Sequence, residues 1–282
     1  MNDLIIYNFE EFQCNKNDVF IIGCFEAFHL GHYQLYKEAL KHKGRKIIVT
    51  FNNETDTRKI VKGIFCDNNA KYLNLAKLNF DAVVELDFEK IKHLQATEFI
   101  NQLTQNQPVT IIAGTDFKFG NNRNTKLSDL IDQFQQINFI SIDLLKVKDA
   151  KISTKYLKDE ITFGNINQLN QLLVYNYSFS GITLLENYLK INDNVVKLHP
   201  GIYAGYLYYQ NFGYYIVLHV SLDKKYHFSI FEYQDSFFEI NKEVVIELVD
   251  KVRIIINSNK DLITDEDLIK AKEIIIRSNN GN

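Results

Sequence analysis

The 282-residue chain predicts an α/β domain built on a parallel sheet, followed by a smaller antiparallel β domain that ends in a helix. Three observations carry this expectation. In the first part, short apolar runs of strand type alternate with helical patterns, the rhythm of strands joined through crossover helices. From about residue 178 the chain turns to Tyr- and Phe-rich runs broken by Gly181, Gly201, Gly205 and Gly213. Residues 265–277 then return to a helical pattern after Thr264, with Asp267 three residues on as in a capping box.

Taken in order, the expected strands of the first part are 19–23, 46–51, 82–86, 109–114 and 138–145, and the helices between them 33–43, 68–78, 97–103 and 127–134. Helical patterns follow at 153–160 and 166–173, and the antiparallel strands are expected at 202–209, 214–221, 227–233 and 244–256. The boundary falls at 177/178, giving domains 1–177 and 178–282, with no internal repeat and no low-complexity linker. Parallel sheets bind small ligands beyond the carboxyl ends of their strands, so chemistry is expected in 23–32, 51–56 and 114–123.

Composition narrows the function classes. At 46% hydrophobic and 24% charged residues the chain has a core to bury, which excludes a disordered or fibrous protein. Thirty-two Lys and Arg against 35 Asp and Glu leave a net charge of -3, too little field to hold a polyanion, so neither nucleic acid nor an acidic membrane is an expected partner. A local phosphate site remains allowed. Cys14, Cys24 and Cys66 are odd in number and form no C-x-x-C pair, so neither a disulfide framework nor a thiolate zinc site is expected, and no metal-ligating residue is assigned. The start of the chain lacks the basic and apolar pattern of a secretory signal, and no apolar run approaches the roughly 20 residues of a membrane span; the expected location is the cytoplasm. The oligomeric state is not readable.

The segment 21–32, Ile-Ile-Gly-Cys-Phe-Glu-Ala-Phe-His-Leu-Gly-His, carries the most chemistry. It leaves the first strand and opens the first helix. Gly23 allows a sharp turn, and Gly31 allows a phosphate chain to approach the helix start. His29 and His32 stand at the positive end of that helix, where unpaired amides and imidazole N–H groups favour anions and the charge of a phosphoryl transition state. Helix-capping histidines or metal ligands are the plainer alternatives.

This segment resembles the nucleotidylyltransferase superfamily, and within it the bacterial FAD synthetases, bifunctional riboflavin kinase/FMN adenylyltransferases. The family's G-x-F-D-G-x-H-x-G-H is matched by residues 23–32 with Glu26 for Asp and Ala27 for Gly, and its G-x-D-F-x-F-G by residues 114–120, followed by Arg123. Leu78-Asn79-Phe80-Asp81, Asp87-Phe88 and Thr97-Glu98-Phe99 look like further family segments in the right order. The I-S-S-T-x-I-R pattern is similar to residues 151–157, with Leu157 in place of the final Arg, and the F-x-P-H-P loop is reduced to 51–55. The resemblance implies a Rossmann-like domain transferring AMP from ATP to FMN, with Mg2+, to give FAD and pyrophosphate. It implies His29 and His32 as catalytic, Gly23, Phe25, Gly31, Ser153, Thr154 and Lys155 as ATP-binding, and Phe51, Asp116, Phe119 and Arg123 as flavin-binding.

In the second domain, Leu198-His199-Pro200-Gly201-Ile202-Tyr203-Ala204 resembles the L-P-x-G-V-Y-A of the riboflavin kinase barrel. The expected Pro-Thr-x-Asn is missing from 185–191, and His227 stands where the kinase has an acid, so the resemblance implies a barrel without kinase chemistry. Three alternatives stay open: a full bifunctional enzyme, a nucleotidylyltransferase with another phosphate acceptor, and a non-catalytic flavin- or nucleotide-binding protein.

Overall fold

The computed structural model describes residues 4–120, 125–143, 145–147, 150–210, 212–231 and 238–280. They divide into two compact units, Met1–Lys62 with Tyr72–Ile152, and Gly63–Lys71 with Ser153–Asn282.

The first unit carries a six-stranded parallel sheet. Its chain runs through β1 (Ile5–Asn8), β2 (Val19–Ile22), α1 (Leu30–Ala39), β3 (Lys46–Phe51), a one-turn α2 (Thr57–Ile60), α3 (Asn68–Ala76, shared with the second unit) and β4 (Ala82–Leu86). It continues through a one-turn α4 (Phe88–Ile91), α5 (Ala96–Thr104), β5 (Thr110–Gly114), a 3-10 helix at Leu127–Gln133, β6 (Asn138–Ile142) and a short ribbon of β7 (Lys146–Val147) and β8 (Ala150–Lys151). The strand order is β1-β4-β3-β2-β5-β6. Both faces of the central strands are covered, which is why β2 and residues 47–49 of β3 read as apolar runs: Val19, Phe20, Ile21, Ile47, Ile48 and Val49 are fully buried. Helix α5 lays Ala96, Phe99, Ile100 and Leu103 on this core, the i, i+3, i+4, i+7 stripe of an amphipathic helix.

The alternation follows the expected one, with local differences. Helix α1 starts at Leu30 rather than residue 33, because His29 caps it. The segment expected as a helix at 127–134 is a 3-10 helix. Strand β1 was not anticipated; it pairs in parallel with β4 at the sheet edge, and Ile5 and Ile6 remain exposed.

The second unit is a closed antiparallel barrel with helices. It contains α6 (Thr154–Phe163), α7 (Ile166–Leu172), β9 (Ser178–Thr183), β10 (Tyr188–Ile191), β11 (Gly201–Tyr209), β12 (Phe212–Val220), β13 (Tyr226–Ile230), β14 (Glu243–Ile254) and α8 (Asp265–Asn280), in the barrel order β10-β13-β12-β11-β14-β9. Where β11 and β14 slip register, a Cβ at Gly205 would meet the Glu247 carbonyl oxygen at 2.3 Å, so only glycine fits. Helix α8 packs Ala271 and Ile275 on Ile202, Ala204 and Val217. Its capping box forms as expected: the Thr264 hydroxyl accepts from Asp267 N at 3.3 Å, and the Asp267 carboxylate accepts from Thr264 N at 3.0 Å.

The compact units do not divide at 177/178. The Asn170 amide of α7 donates to the Leu248 and Val249 carbonyls of β14 at 2.9 and 3.0 Å and accepts from Tyr177 N at 2.8 Å, which ties α7 to the barrel. Residues 63–71 join the same unit through Asp67, whose carboxylate accepts from Ser180 N and Oγ at 2.6 Å each. Among the described residues no helix is long and apolar enough to cross a membrane.

Candidate active site

The site begins where β2 ends. A side chain at Gly23 would meet the Phe25 ring at 2.6 Å, so glycine lets that ring fold back over the strand end, and Gly23 N donates to the Val49 carbonyl at 3.2 Å. Phe25 then turns with φ +38°, a left-handed conformation for a buried aromatic residue. Glu26, Ala27 and Phe28 are buried, and His29 caps α1 in extended conformation, its side chain accepting from His32 N at 3.3 Å.

The two imidazoles stack with centroids 3.7 Å apart and planes 18° from parallel. Their hydrogen bonds assign opposite tautomers. His29 Nδ1 accepts from a backbone N–H, so its proton sits on Nε2. His32 Nδ1 faces the Ala27 carbonyl at 3.0 Å and must donate, so its Nε2 carries the lone pair. Both rings are neutral at pH 7. Burial, with Lys151 second, pushes His29 down to about 4. Burial, with His29 second, holds His32 well below the usual imidazole value. The space that a side chain at Gly31 would fill is taken by the His29 ring, 2.9 Å from the ideal Cβ position. In this structure, therefore, Gly31 makes room for the imidazole stack.

His32 lines a cavity of about 840 Å³ beyond the carboxyl ends of the strands. Of the residues expected from the sequence, Gly23, Phe25, His32, Phe51, Asp116 and Phe119 line it together. His29 and Gly31 are not among the lining residues; His29 is 3% exposed and supports His32 from behind. One wall is apolar, with Leu86, Phe88, Ile91, Leu94, Phe99 and Phe117. Phe117 and Phe119 meet edge to face at 4.7 Å and 79°. At the polar side Asp116 is ion-paired with Lys151. Cys24, Lys92, His93 and Lys118 also line it; none was named as a site residue from the sequence, although Cys24 and Lys118 lie in the segments 23–32 and 114–123 where chemistry was expected. Lys151 was missed as a site residue too, although it heads the 151–157 segment; only the fold shows that it reaches a partner 35 positions upstream.

Ser153, Thr154 and Lys155 belong to the second unit, where Ser153 caps α6 and its hydroxyl accepts from Tyr156 N at 3.2 Å. Leu157, in the place of the family Arg, is fully buried in that unit. Arg123 lies outside the described residues. Among the described residues no three His, Cys, Asp or Glu side chains stand together as metal ligands, and Asp116 is already paired.

A family model described as FAD synthetase matches residues 11–156, just over half of the chain. Two bifunctional riboflavin kinase/FMN adenylyltransferases are similar: one from Buchnera aphidicola subsp. Acyrthosiphon pisum, 30% identical over 194 residues (62% of this chain, 59% of that one), and one from Buchnera aphidicola subsp. Schizaphis graminum, 28% identical over 217 residues (67% and 68%). The match thus spans about three fifths to two thirds of those relatives' length. A solved structure named macrolide-efflux protein, from Streptococcus pneumoniae, shares the fold with a TM-score of 0.73 at 20% identity, covering 97% of this chain and 99% of that one.

Proposed function

Because the chain belongs to the FAD synthetase family, we propose that it is an FMN adenylyltransferase, joining ATP and FMN to give FAD and pyrophosphate. One observation carries this reading: a single cavity brings the His32 end of the H-x-G-H segment together with Lys151 and an aromatic wall. Such a cavity has a place for a planar ring and a place for phosphates, and its volume suits small ligands. An oxygen of the FMN phosphate attacks the α-phosphorus of ATP; the new P–O bond forms as the bond to the bridging α–β oxygen breaks, and that electron pair leaves with pyrophosphate. A phosphate monoester has its second pKa near 6, so at neutral pH the nucleophile is already an anion and needs no protein base.

The protein's share is then placement and charge stabilisation. His32 faces the phosphates from the helix start, with His29 stacked behind it and Gly23 and Phe25 shaping the turn. Lys151 offers a cation whose charge both imidazoles feel, held by Asp116. Phe51, Phe117 and Phe119 flank the ring. Ser153, Thr154 and Lys155 keep their proposed part in holding phosphate at the start of α6, and Arg123 its proposed part toward the flavin. Magnesium enters as a companion of the ATP phosphates, which matches a cavity where, among the described residues, the one lining carboxylate is engaged by a lysine; bound there, it would neutralise phosphate charge.

For the barrel we propose the absence of kinase chemistry. His227 stands half-buried on β13 beside the Tyr188 ring, and burial lowers its pKa, leaving a neutral imidazole where the family places an acid. Incubating the purified chain with ATP, Mg2+ and either FMN or riboflavin, then separating the flavins, tests both statements. FAD and pyrophosphate from FMN alone is the expected result; FMN left unchanged overturns the first, and FMN formed from riboflavin overturns the second.

A further inference from the structure

The turn from Gly23 to His29 is strained at Phe25, whose φ of +38° is rare for any side chain and costly for an aromatic one. Such a conformation persists only where neighbours over-determine it. Gly23 N is tied to the Val49 carbonyl, and the Phe25 ring meets His32 edge-on at 4.9 Å and 85°. A third tie comes from Thr50, the residue after Val49 on β3: its Oγ1 donates to the Cys24 carbonyl at 2.9 Å. Thr50 is fully buried. Its strand neighbours Ile47, Ile48 and Val49 fill their places with hydrocarbon alone, and a valine has the shape of threonine, so packing by itself does not ask for a hydroxyl here.

What the hydroxyl holds is the peptide that leads directly into the strained residue. Two residues past Phe25, the Ala27 carbonyl accepts from His32 Nδ1 at 3.0 Å and thereby decides which nitrogen of that ring keeps its lone pair. The order is short and contiguous: the Thr50 hydroxyl, the Cys24 carbonyl, left-handed Phe25, the Ala27 carbonyl, and the His32 ring in the cavity wall.

We propose that Thr50 is a positioning residue for adenylyl transfer: its hydroxyl anchors the Cys24 peptide, and through the 24–27 turn it fixes the orientation and tautomer of His32. This rests on the adenylyl-transfer reading above. The test uses the full chain as wild type, Thr50→Val and Thr50→Ser, with two readouts: kcat and KM for FMN, and the ring 15N shifts of His32 at pH 7, assigned with His32→Gln. Thr50→Val is expected to lower kcat about tenfold, the effect of one lost hydrogen bond, while leaving KM within about twofold. It should also move the His32 ring from a single tautomer toward a mixture. Thr50→Ser, which keeps the hydroxyl and drops a methyl, should restore both. Should Thr50→Val not fold, Thr50→Ala replaces it with the same readouts. Wild-type kcat and wild-type ring shifts in the hydroxyl-free variant, or a Thr50→Ser variant as impaired as Thr50→Val, would overturn the proposal. No FAD from the wild type would overturn the adenylyl-transfer reading instead, and the ring shifts would still report whether Thr50 sets the tautomer.

Discussion

Acidification should destabilise the fold through the two stacked histidines, whose burial keeps them neutral. In the folded chain burial, with Lys151 second, brings His29 down to about 4, and burial with His29 second keeps His32 low as well. Unfolding returns both to the ordinary value near 6.5. Between about 6.5 and 4 the unfolded chain therefore binds more protons, so this contribution to stability is complete above 6.5 and is lost as pH falls toward 4. For His29 the gap corresponds to about 3 kcal/mol as a ceiling, since water in the adjoining cavity screens part of it. His32 adds a loss of the same sign. His29→Asn is the useful comparison, because Asn caps a helix well and does not titrate. Urea midpoints followed by far-UV circular dichroism from about pH 7.5 to 4 should show the wild type losing stability relative to His29→Asn as pH falls, after the carboxylates they share cancel. Ring NMR should place the His29 midpoint near 4. A ring that titrates near 6.5, or a stability difference that does not change with pH, would refute the burial argument.

Three further outcomes follow from the same geometry. His32→Ala should lower FAD formation by at least about 100-fold with the fold intact by circular dichroism, since one transition-state partner contributes a few kcal/mol; near-normal turnover removes His32 from the catalytic machinery. The full-length His32→Ala chain should also show no riboflavin kinase activity above background, and FMN formed in proportion to added enzyme would show a working barrel. Leu157→Arg should not tighten ATP as a restored family motif would, because a guanidinium would be forced into a fully buried place at a cost of about 3 to 5 kcal/mol; wild-type thermal stability with a lower KM for ATP would contradict this.

The parallel sheet was legible because strands covered on both faces read as apolar runs, as β2 does throughout and β3 and β5 do at their centres. The H-x-G-H segment was legible because glycine and histidine at a strand-to-helix turn have few other uses. Other features answer to contacts that no local pattern announces. Strand β1 leaves Ile5 and Ile6 in solvent and carries only one short edge ladder, so neither periodicity nor length marks it. The 177/178 boundary followed composition, whereas α6 and α7 bury Leu157, Ile161, Ile166 and Leu169 in the barrel unit although they continue the α/β rhythm. The opposite tautomers of His29 and His32 depend on one backbone N–H and one carbonyl brought together by the turn.

Those tautomers bear on how the cavity meets its ligand. With both imidazoles neutral and Lys151 paired to Asp116, the positive charge resident near His32 is largely balanced, and the chain as a whole is at -3. The histidine end is therefore uncharged when empty, while Lys118 and Lys92, the latter paired with Glu89, add cationic groups elsewhere in the lining. His32 offers a lone pair, and it can donate to a phosphate only after taking up a proton, which an adjacent phosphate charge favours and empty hydrophobic surroundings oppose. The aromatic wall requires no such adjustment, because burying a planar ring is favourable at any protonation state. On the adenylyl-transfer reading proposed above, two tasks separate along one cavity: the apolar side would select the ring by shape, and the histidine side would gain its charge with phosphate in place. Stabilisation of the developing charge is then tied to occupancy rather than stored in the empty site.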